Sequence, residues 1–228
     1  MIEMSNVYKT YPNGVTAING INVKINKGEF VYVVGPSGAG KSTFIKMMFR
    51  EEKPTAGSIV VNGVQLAKLR TTKVPLFRRN LGVVFQDYKL LPTLTVFENV
   101  AFAMEVIEEH PKEIKRRVME VLDLVGLKHK ARMVPTELSG GEQQRVSIAR
   151  SIVNSPQVVI ADEPTGNLDP ETSWEIMNIL EEINTRGTTV VMATHNRDIV
   201  NNLKRRVIAI ENGKIVRDEQ RGEYGYEL

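Results

Sequence analysis

The feature that most constrains the fold is a glycine-rich loop that ends in lysine and serine, running from Gly35 to Ser42. It reads Gly-Pro-Ser-Gly-Ala-Gly-Lys-Ser and matches the phosphate-binding pattern G-x-x-x-x-G-K-[ST] at every defined position. An apolar run, Phe30 to Val34, precedes the loop, and a run that favours a helix, Thr43 to Phe49, follows it. A strand, a loop and a helix in this order predict a phosphate-binding loop in an α/β fold.

The residue types in this loop suit a polyphosphate. Glycines let successive backbone N–H groups turn towards one anion, and the N-terminus of the following helix adds its positive dipole end. We assign Lys41 to the β- and γ-phosphates and the Ser42 hydroxyl to Mg²⁺. The predicted nucleotide contacts of this segment are Gly35, Ser37, Gly38, Ala39, Gly40, Lys41, Ser42 and Thr43. The loop alone leaves several classes of nucleotide-hydrolysing protein open, among them kinases, GTPases and helicases.

Composition limits the partners and the location that we expect for this chain. The formal charge of +3 on 228 residues is too small to indicate a nucleic-acid partner, and the basic clusters 112–117 and 204–206 are predicted as solvated faces. The absence of cysteine excludes disulfides and thiolate metal sites. No apolar stretch approaches the ~20 residues of a membrane helix, and we see no secretory leader. We expect a soluble, cytosolic chain that meets a membrane only through a partner.

Periodicity divides the chain into strand-rich and helical parts. Apolar runs at 21–25 and 58–61 indicate strands, and Asn62-Gly63 directly after the second predicts a hairpin turn. Between 95 and 155 the apolar residues recur every three to four positions, which is typical of helices. The continuous apolar runs 158–161 and 189–192 predict strands that are covered on both faces.

We therefore predict one α/β domain, 1–228, of the P-loop NTPase (RecA-like) type. Its nucleotide-binding core comprises residues 1–86 and 158–228 and includes an antiparallel β-subdomain at the N-terminus. An inserted α-helical subdomain spans residues 87–157.

Two carboxylates end the predicted strand at 158–161. Ligands of open α/β sheets bind at the carboxyl ends of strands, so Asp162 is placed to hold Mg²⁺ through water. Glu163, on the other side of the bend, is placed to polarise an attacking water. A polar strand end that merely enters a turn is the alternative for this segment taken by itself.

The segment Leu138-Ser139-Gly140-Gly141-Glu142-Gln143 predicts a second helix end that binds an anion. Ser139 is a natural N-cap, and the glycines allow a phosphate to approach the positive end of the helix. One nucleotide needs only one phosphate loop, so the second helix end is explained if it covers the γ-phosphate held by another copy. An ordinary serine-capped helix with a glycine turn is the alternative.

Taken together, these segments resemble the Walker A, signature and Walker B motifs of the ABC ATPases. The resemblance extends to Gln86 as the glutamine that links Mg²⁺ to the helical subdomain, Asp169 in the D-loop and His195 as the switch histidine at the γ-phosphate. It also implies an aromatic residue stacked on adenine, for which Tyr11 is our candidate and Tyr8 the rival. The cofactors implied are ATP and Mg²⁺, with Ser42, Gln86 and Asp162 as the metal set. The chain is expected to form a homodimer on ATP binding.

Within that family, the stretch 162–169 resembles the subgroup of lipoprotein-release, macrolide-efflux and cell-division ATPases. Three further stretches, 85–92, 98–106 and 217–227, look most like the cell-division member. That resemblance implies ATP-driven dimer closure, transmitted at the cytoplasmic face of the membrane to an integral membrane protein that controls cell-wall hydrolysis. The alternatives are an ATPase of lipoprotein release or macrolide efflux, a soluble ABC ATPase of DNA repair or translation, and a nucleotide-gated scaffold.

The groove beside Gln86 is the expected docking surface for the membrane partner. Apolar and aromatic side chains are good anchors for an inserted helix. The candidates are Tyr88, Leu90, Leu91, Pro92 and Phe97. Packing between the two parts of the domain is the alternative for each of them.

Overall fold

Two β-sheets and seven α-helices make up the part of the chain that the computed structural model describes, residues 1–225. The strands are β1 (Ile2–Thr10), β2 (Thr16–Ile25), β3 (Phe30–Val34), β4 (Ala56–Val61), β5 (Val64–Gln65), β6 (Leu81–Val84), β7 (Val158–Asp162), β8 (Thr189–Ala193), β9 (Arg206–Glu211) and β10 (Lys214–Glu219). The helices are α1 (Lys41–Met48), α2 (Val74–Arg78), α3 (Val96–Glu105), α4 (Pro111–Leu124), α5 (Gly140–Ile152), α6 (Pro170–Thr185) and α7 (Arg197–Leu203). The last two residues of the 217–227 stretch lie outside the described residues.

The larger sheet has the strand order β10-β9-β3-β8-β7-β6. Its strands are parallel from β9 to β6, and β10 is an antiparallel edge strand. Successive residues of β3 belong to different cores: Val31 and Val33 pack towards α1 and the smaller sheet, whereas Tyr32 and Val34 pack towards α3 to α6. Because both faces are covered, the strands are continuous apolar runs, as predicted.

The smaller sheet is antiparallel, with the order β2-β1-β4-β5. The turn between β4 and β5 has φ 50° at Asn62 and 77° at Gly63. A two-residue hairpin with a type I′ turn requires positive φ at both positions. This confirms the hairpin that the Asn-Gly pair predicts. The P-loop α/β core and the antiparallel N-terminal sheet are thus both as expected.

Helices α3, α4 and α5 lie between β6 and β7 in the sequence, where helical periodicity predicts them. Thr95 begins α3 with a capping box to Glu98, and the α4 residues Ile114, Val118 and Val121 are buried in its apolar stripe. The division into a core and a helical subdomain at 87 and 157 remains a prediction.

The expected solvated face at 204–206 is wrong for Arg206. Arg206 lies on β9, is 8% exposed, and its guanidinium bonds Glu29 at 2.6 Å and Asp218 at 2.8 Å. Arg205 pairs with Glu181. The helix-like spacing of the basic residues gave the wrong prediction for Arg206 because it lies on β9, inside the sheet, where it pairs with Glu29 before β3 and with Asp218 on the edge strand β10.

Candidate functional site

The carboxyl ends of the central parallel strands surround a cleft of about 360 Å³. Many of the residues predicted at nucleotide-binding positions line it. The lining residues are Ala17, Ser37, Gly38, Ala39, Gly40, Lys41, Ser42, Thr43, Gln86, Glu163 and His195. The structure therefore brings together segments that are up to 178 positions apart in the sequence, from Ala17 to His195.

The backbone of the glycine-rich loop is held from two sides. Gly40 has φ 106°, and a Cβ there would lie 2.3 Å from the carbonyl oxygen of Ala17, so no other residue fits this conformation. The turn of the closing hairpin supports the loop, since the Gly213 N–H donates to Ala39 O at 3.0 Å. The N-terminus of α1 therefore faces the cleft in a fixed position.

Lys41 lies inside the curve of the loop. Its Nζ donates to the carbonyl oxygens of Gly35 at 2.8 Å and Pro36 at 3.0 Å. The ammonium group is thus held over the loop, at the place where a polyphosphate would receive N–H groups from the backbone.

Ser42 and Asp162 meet across the cleft floor. The Ser42 hydroxyl donates to Asp162 Oδ1 at 3.5 Å. Burial raises the pKa of the Asp162 carboxyl above its ordinary value, and the adjacent charge of Glu163 raises it further, against the opposing effects of Lys46 and Lys41. A cation at this point would relieve the repulsion between the two carboxylates.

Glu163 occupies an unusual backbone conformation, with φ 51°. Its N–H donates to Ala193 O at 3.0 Å, and its carbonyl accepts from the N–H of Gly166 at 3.0 Å. The carboxylate faces the cleft, where its Oε2 lies 2.5 Å from Nδ1 of His195. The residue predicted to polarise water and the histidine predicted at the γ-phosphate are therefore in direct contact.

Gln86 lies on the opposite side of the cleft and is tied to the loop after β7. Its Nε2 donates to Asn167 Oδ1 at 3.2 Å, and Asn167 Nδ2 donates back to Gln86 O at 3.4 Å. In the sequence, Asn167 is only one residue of the stretch 162–169. Its position beside Gln86 depends on the neighbouring strands β6 and β7, which no local pattern reveals.

Arg150 is a second residue whose role the sequence does not indicate. Its guanidinium donates to Lys89 O at 2.7 Å and to Tyr88 O at 2.9 Å. Tyr88 and Lys89 both have positive φ, 57° and 50°, which is unfavourable for residues with a side chain. Burial lowers the pKa of Arg150. Arg150 thus holds the loop after Gln86 in a conformation that it would not otherwise keep.

Of the two candidate tyrosines, Tyr11 is the one that reaches the glycine-rich loop and its helix. Its hydroxyl lies 3.1 Å from Thr43 Oγ1, and Lys9 Nζ lies 4.8 Å above its ring. Tyr8 points away along β1 with its hydroxyl against Gly20. Tyr11 is therefore the tyrosine nearer to the loop, and its stacking on adenine remains a prediction.

The second predicted helix end lies outside the cleft. Ser139 caps α5, accepting from the Glu142 N–H at 3.3 Å while Glu142 Oε2 accepts from the Ser139 N–H at 3.0 Å. A hydrogen bond from Lys130 lowers the pKa of Glu142. Asp169 caps α6 by accepting from the Thr172 N–H at 2.9 Å, and its pKa is lowered by its hydrogen bonds from Thr172. Ser139 is exposed, and neither it, Gly141 nor Asp169 is among the residues that line the cleft.

Gly141 is required by close packing between α5 and α6. A Cβ at this position would lie 2.2 Å from Cγ2 of Thr172, whose rotamer is fixed by a 2.6 Å bond from its hydroxyl to Asp169. We expect Gly141→Ala to lower Tm by roughly 2–10 °C, since overpacking of this kind costs about 1–3 kcal/mol. Thermal denaturation of the single and double variants tests this.

Thr172→Ser is the matched control, because it removes the colliding methyl group and keeps the hydroxyl. The double variant should recover most of the lost Tm. A Gly141→Ala variant as stable as the parent would mean that the two helices are not packed as described.

Known proteins are similar to this chain over almost its whole length. Residues 18–166 match the family model described as "ABC transporter". The cell division ATP-binding protein FtsE of Bacillus subtilis strain 168 is 74% identical over 225 residues, covering 99% of both chains. That of Escherichia coli strain K12 is 43% identical over 215 residues, covering 94% of this chain and 97% of its own.

The solved structures agree with the fold. A dimeric ATP-binding cassette in a post-hydrolysis state, bound to ADP and phosphate, superposes with a TM-score of 0.88 at 35% identity, covering 97% of this chain and 99% of its own. The protein cbiO1 from Clostridium perfringens, part of the ABC transporter complex cbiONQ, superposes with a TM-score of 0.89 at 31% identity, covering 96% of this chain and 88% of its own. The chain therefore belongs to the ABC transporter family of ATPases and, within it, to the FtsE group of cell-division ATP-binding proteins.

Proposed function

We propose that two copies of this chain bind ATP between them, and that each γ-phosphate is contacted by Lys41 of one copy and by Ser139 and Gly141 of the other. The observation that carries this proposal is the position of Ser139, which caps an exposed helix end outside the cleft of its own chain. A solved relative that is dimeric and bound to ADP and phosphate supports the dimer part of this proposal.

Hydrolysis then uses groups that already lie together. Glu163 accepts a proton from water, the water oxygen forms a bond to the γ-phosphorus, and the bond to the bridging oxygen of ADP breaks in line. Lys41 and the loop N–H groups stabilise the charge on the phosphate oxygens. In the closed dimer, Gln86 contacts Mg²⁺ and Asp169 contacts the nucleotide. Tyr11 stacks on adenine.

His195 orients the γ-phosphate, and its contact with Glu163 restricts how it does so. In the neutral ring, a proton on Nδ1 that is donated to Glu163 leaves Nε2 as an acceptor. Donation to a phosphate oxygen from Nε2 therefore requires either a doubly protonated ring or release of the carboxylate. If the carboxylate is released, Glu163 becomes free to accept a proton from water only when a γ-phosphate is present.

Ser42, Asp162 and Gln86 are proposed to hold Mg²⁺. One hydroxyl, one carboxylate and one amide form a small oxygen set, which suits a cation that keeps waters and substrate phosphate oxygens as its other ligands. The raised pKa of Asp162 fits this role, because its burial beside Glu163 leaves negative charge to be balanced. When bound, the ion neutralises charge on the β- and γ-phosphate oxygens.

The proposed partner is an FtsX-like integral membrane protein, which would hold this chain at the cytoplasmic face of the membrane and transmit its closure to cell-wall hydrolysis. No helix among residues 1–225 is long and apolar enough to cross a bilayer. The FtsE relatives support the assignment to cell division.

The docking surface is proposed beside the loop that follows Gln86. Of the predicted anchors, Leu90 and Phe97 pack partly against the core. Tyr88 places its hydroxyl 2.9 Å from where a Cβ on Gly140 would lie, so the loop touches the start of α5. Three exposed apolar side chains that the sequence did not single out lie on α2 and at the end of α3: Leu76, Phe102 and Val106.

We expect Phe102→Asp to reduce recovery of the membrane partner in a pull-down from membranes while ATP binding is unchanged. Loss of one aromatic anchor weakens such an interface by roughly 10- to 30-fold. Val216→Asp is the matched control, since Val216 is also an exposed apolar residue and lies on the edge strand β10. Recovery of a lipoprotein-export permease by the parent chain would contradict the cell-division assignment.

Phosphate release measured with and without the captured partner separates a coupled ATPase from a scaffold with negligible turnover.

A further inference from the structure

Gln144 is a fully buried polar residue on α5, one turn inside the helix that begins beside Ser139. Its Nε2 donates to Pro164 O at 2.6 Å and to Phe85 O at 3.2 Å. A side-chain amide has two N–H donors, so both are used. One side chain thus joins α5 to the backbone at the ends of two neighbouring strands.

The two carbonyl groups that Gln144 holds are next to functional side chains. Phe85 precedes Gln86, and Pro164 follows Glu163. Glu163 is in the left-handed region, where a residue with a side chain stays only if surrounding contacts fix it. The bond to Pro164 is one such contact, placed one residue after the base.

The other half of the amide makes no comparable contact. Gln144 Oε1 is buried and has no hydrogen-bond partner among the described residues. An apolar side chain of the same length would fill the space without leaving a buried oxygen unpaired. The useful part of this residue is therefore its pair of donors and not its volume.

We propose that Gln144 is a positioning residue that transmits movement of α5 to Glu163 and Gln86. The inference rests on the proposed function, in which the Ser139 end of α5 contacts the triphosphate bound by a second copy. Engagement of that end by the nucleotide of the partner would then set the base in the cleft of the same chain. Each cleft would thereby respond to the occupancy of the other.

The test is Gln144→Met, which keeps the length of the side chain and removes both donors. We expect kcat for ATP hydrolysis to fall about 10- to 100-fold, because a misplacement of about 1 Å in a catalytic group has an effect of that size. The Kd for ATP, measured by calorimetry, should stay close to that of the parent. In a Glu163→Gln background the variant should still form the ATP-dependent dimer in light scattering.

Gln157→Met is the matched control. Gln157 is an exposed glutamine directly before β7, at the opposite end of that strand from Glu163. Its replacement should leave kcat near the parent value. A Gln144→Met variant with the kcat of the parent would show that the residue only fills space.

A second variant keeps the proposal testable if Gln144→Met loses ATP binding through misfolding. Gln144→Asn retains the amide but is one methylene shorter, so it cannot reach both carbonyl groups, and it should lose kcat while binding ATP. If both variants lose ATP binding, Gln144 stabilises the fold and the proposal is wrong. An active Glu163→Gln variant would refute the base itself, whereas an inactive Glu163→Gln with a fully active Gln144→Met would refute only the positioning role.

Discussion

Replacing Glu163 with glutamine is expected to reduce ATP turnover by about 10²- to 10⁴-fold, the usual contribution of a positioned general base. The amide keeps the shape of the side chain and its contact distance to His195 but cannot accept the proton of water. ATP affinity should be little changed, because Lys41 and the loop backbone are untouched. The γ-phosphate therefore persists, and the chain should accumulate as an ATP-bound dimer.

The measurement is phosphate release, together with light scattering in the presence of ATP and Mg²⁺. Glu120→Gln is a suitable control, since Glu120 is an exposed carboxylate on α4 and distant in the fold from the cleft. It should hydrolyse ATP like the parent. A Glu163→Gln variant that remains monomeric and turns over normally would exclude both the base and the dimer.

Removal of the Lys41 side chain should weaken ATP binding and not only slow hydrolysis. Lys41→Ala loses charge-assisted hydrogen bonds to phosphate, which are worth about 1.5–3 kcal/mol each, so the Kd for ATP should rise roughly 10- to 100-fold. Calorimetric titration with ATP measures this directly.

Lys46→Ala is the control for Lys41→Ala. Lys46 lies on the same helix, α1, but bonds Glu51 at 3.3 Å and does not line the cleft. Its removal should change the Kd far less. Equal losses in the two variants would mean that the general positive charge of α1, and not the position of Lys41, attracts the nucleotide.

Much of the fold follows from local chemistry that is visible in the sequence. The glycine-rich loop between an apolar strand and a helix, the Asn62-Gly63 turn and the serine cap at Ser139 each have one conformation that suits their residues. Their structures are as predicted because the physical cause is contained within a few neighbouring residues.

The parts that the sequence did not reveal are long-range contacts. Gln144 reaches Phe85 and Pro164 across 59 and 20 positions, and Arg150 reaches Tyr88 across 62. Arg206 looked like a surface residue because its partners Glu29 and Asp218 meet it only once the sheet has formed. Gln144 and Arg150 hold loops of the site, whereas Arg206 joins strands of the sheet, and all three roles depend on which strands are neighbours.

Two helix ends from different molecules are expected to meet at one triphosphate. The chain contains no cysteine, so a single pair, Ser37→Cys and Ser139→Cys, reports on that geometry without other thiols. Both side chains are exposed in one copy of the chain. In a Glu163→Gln background, ATP and Mg²⁺ should drive disulfide formation between two copies, seen as a covalent dimer on a non-reducing gel. Cross-linking that is equally efficient without nucleotide, or absent with it, would contradict the shared site.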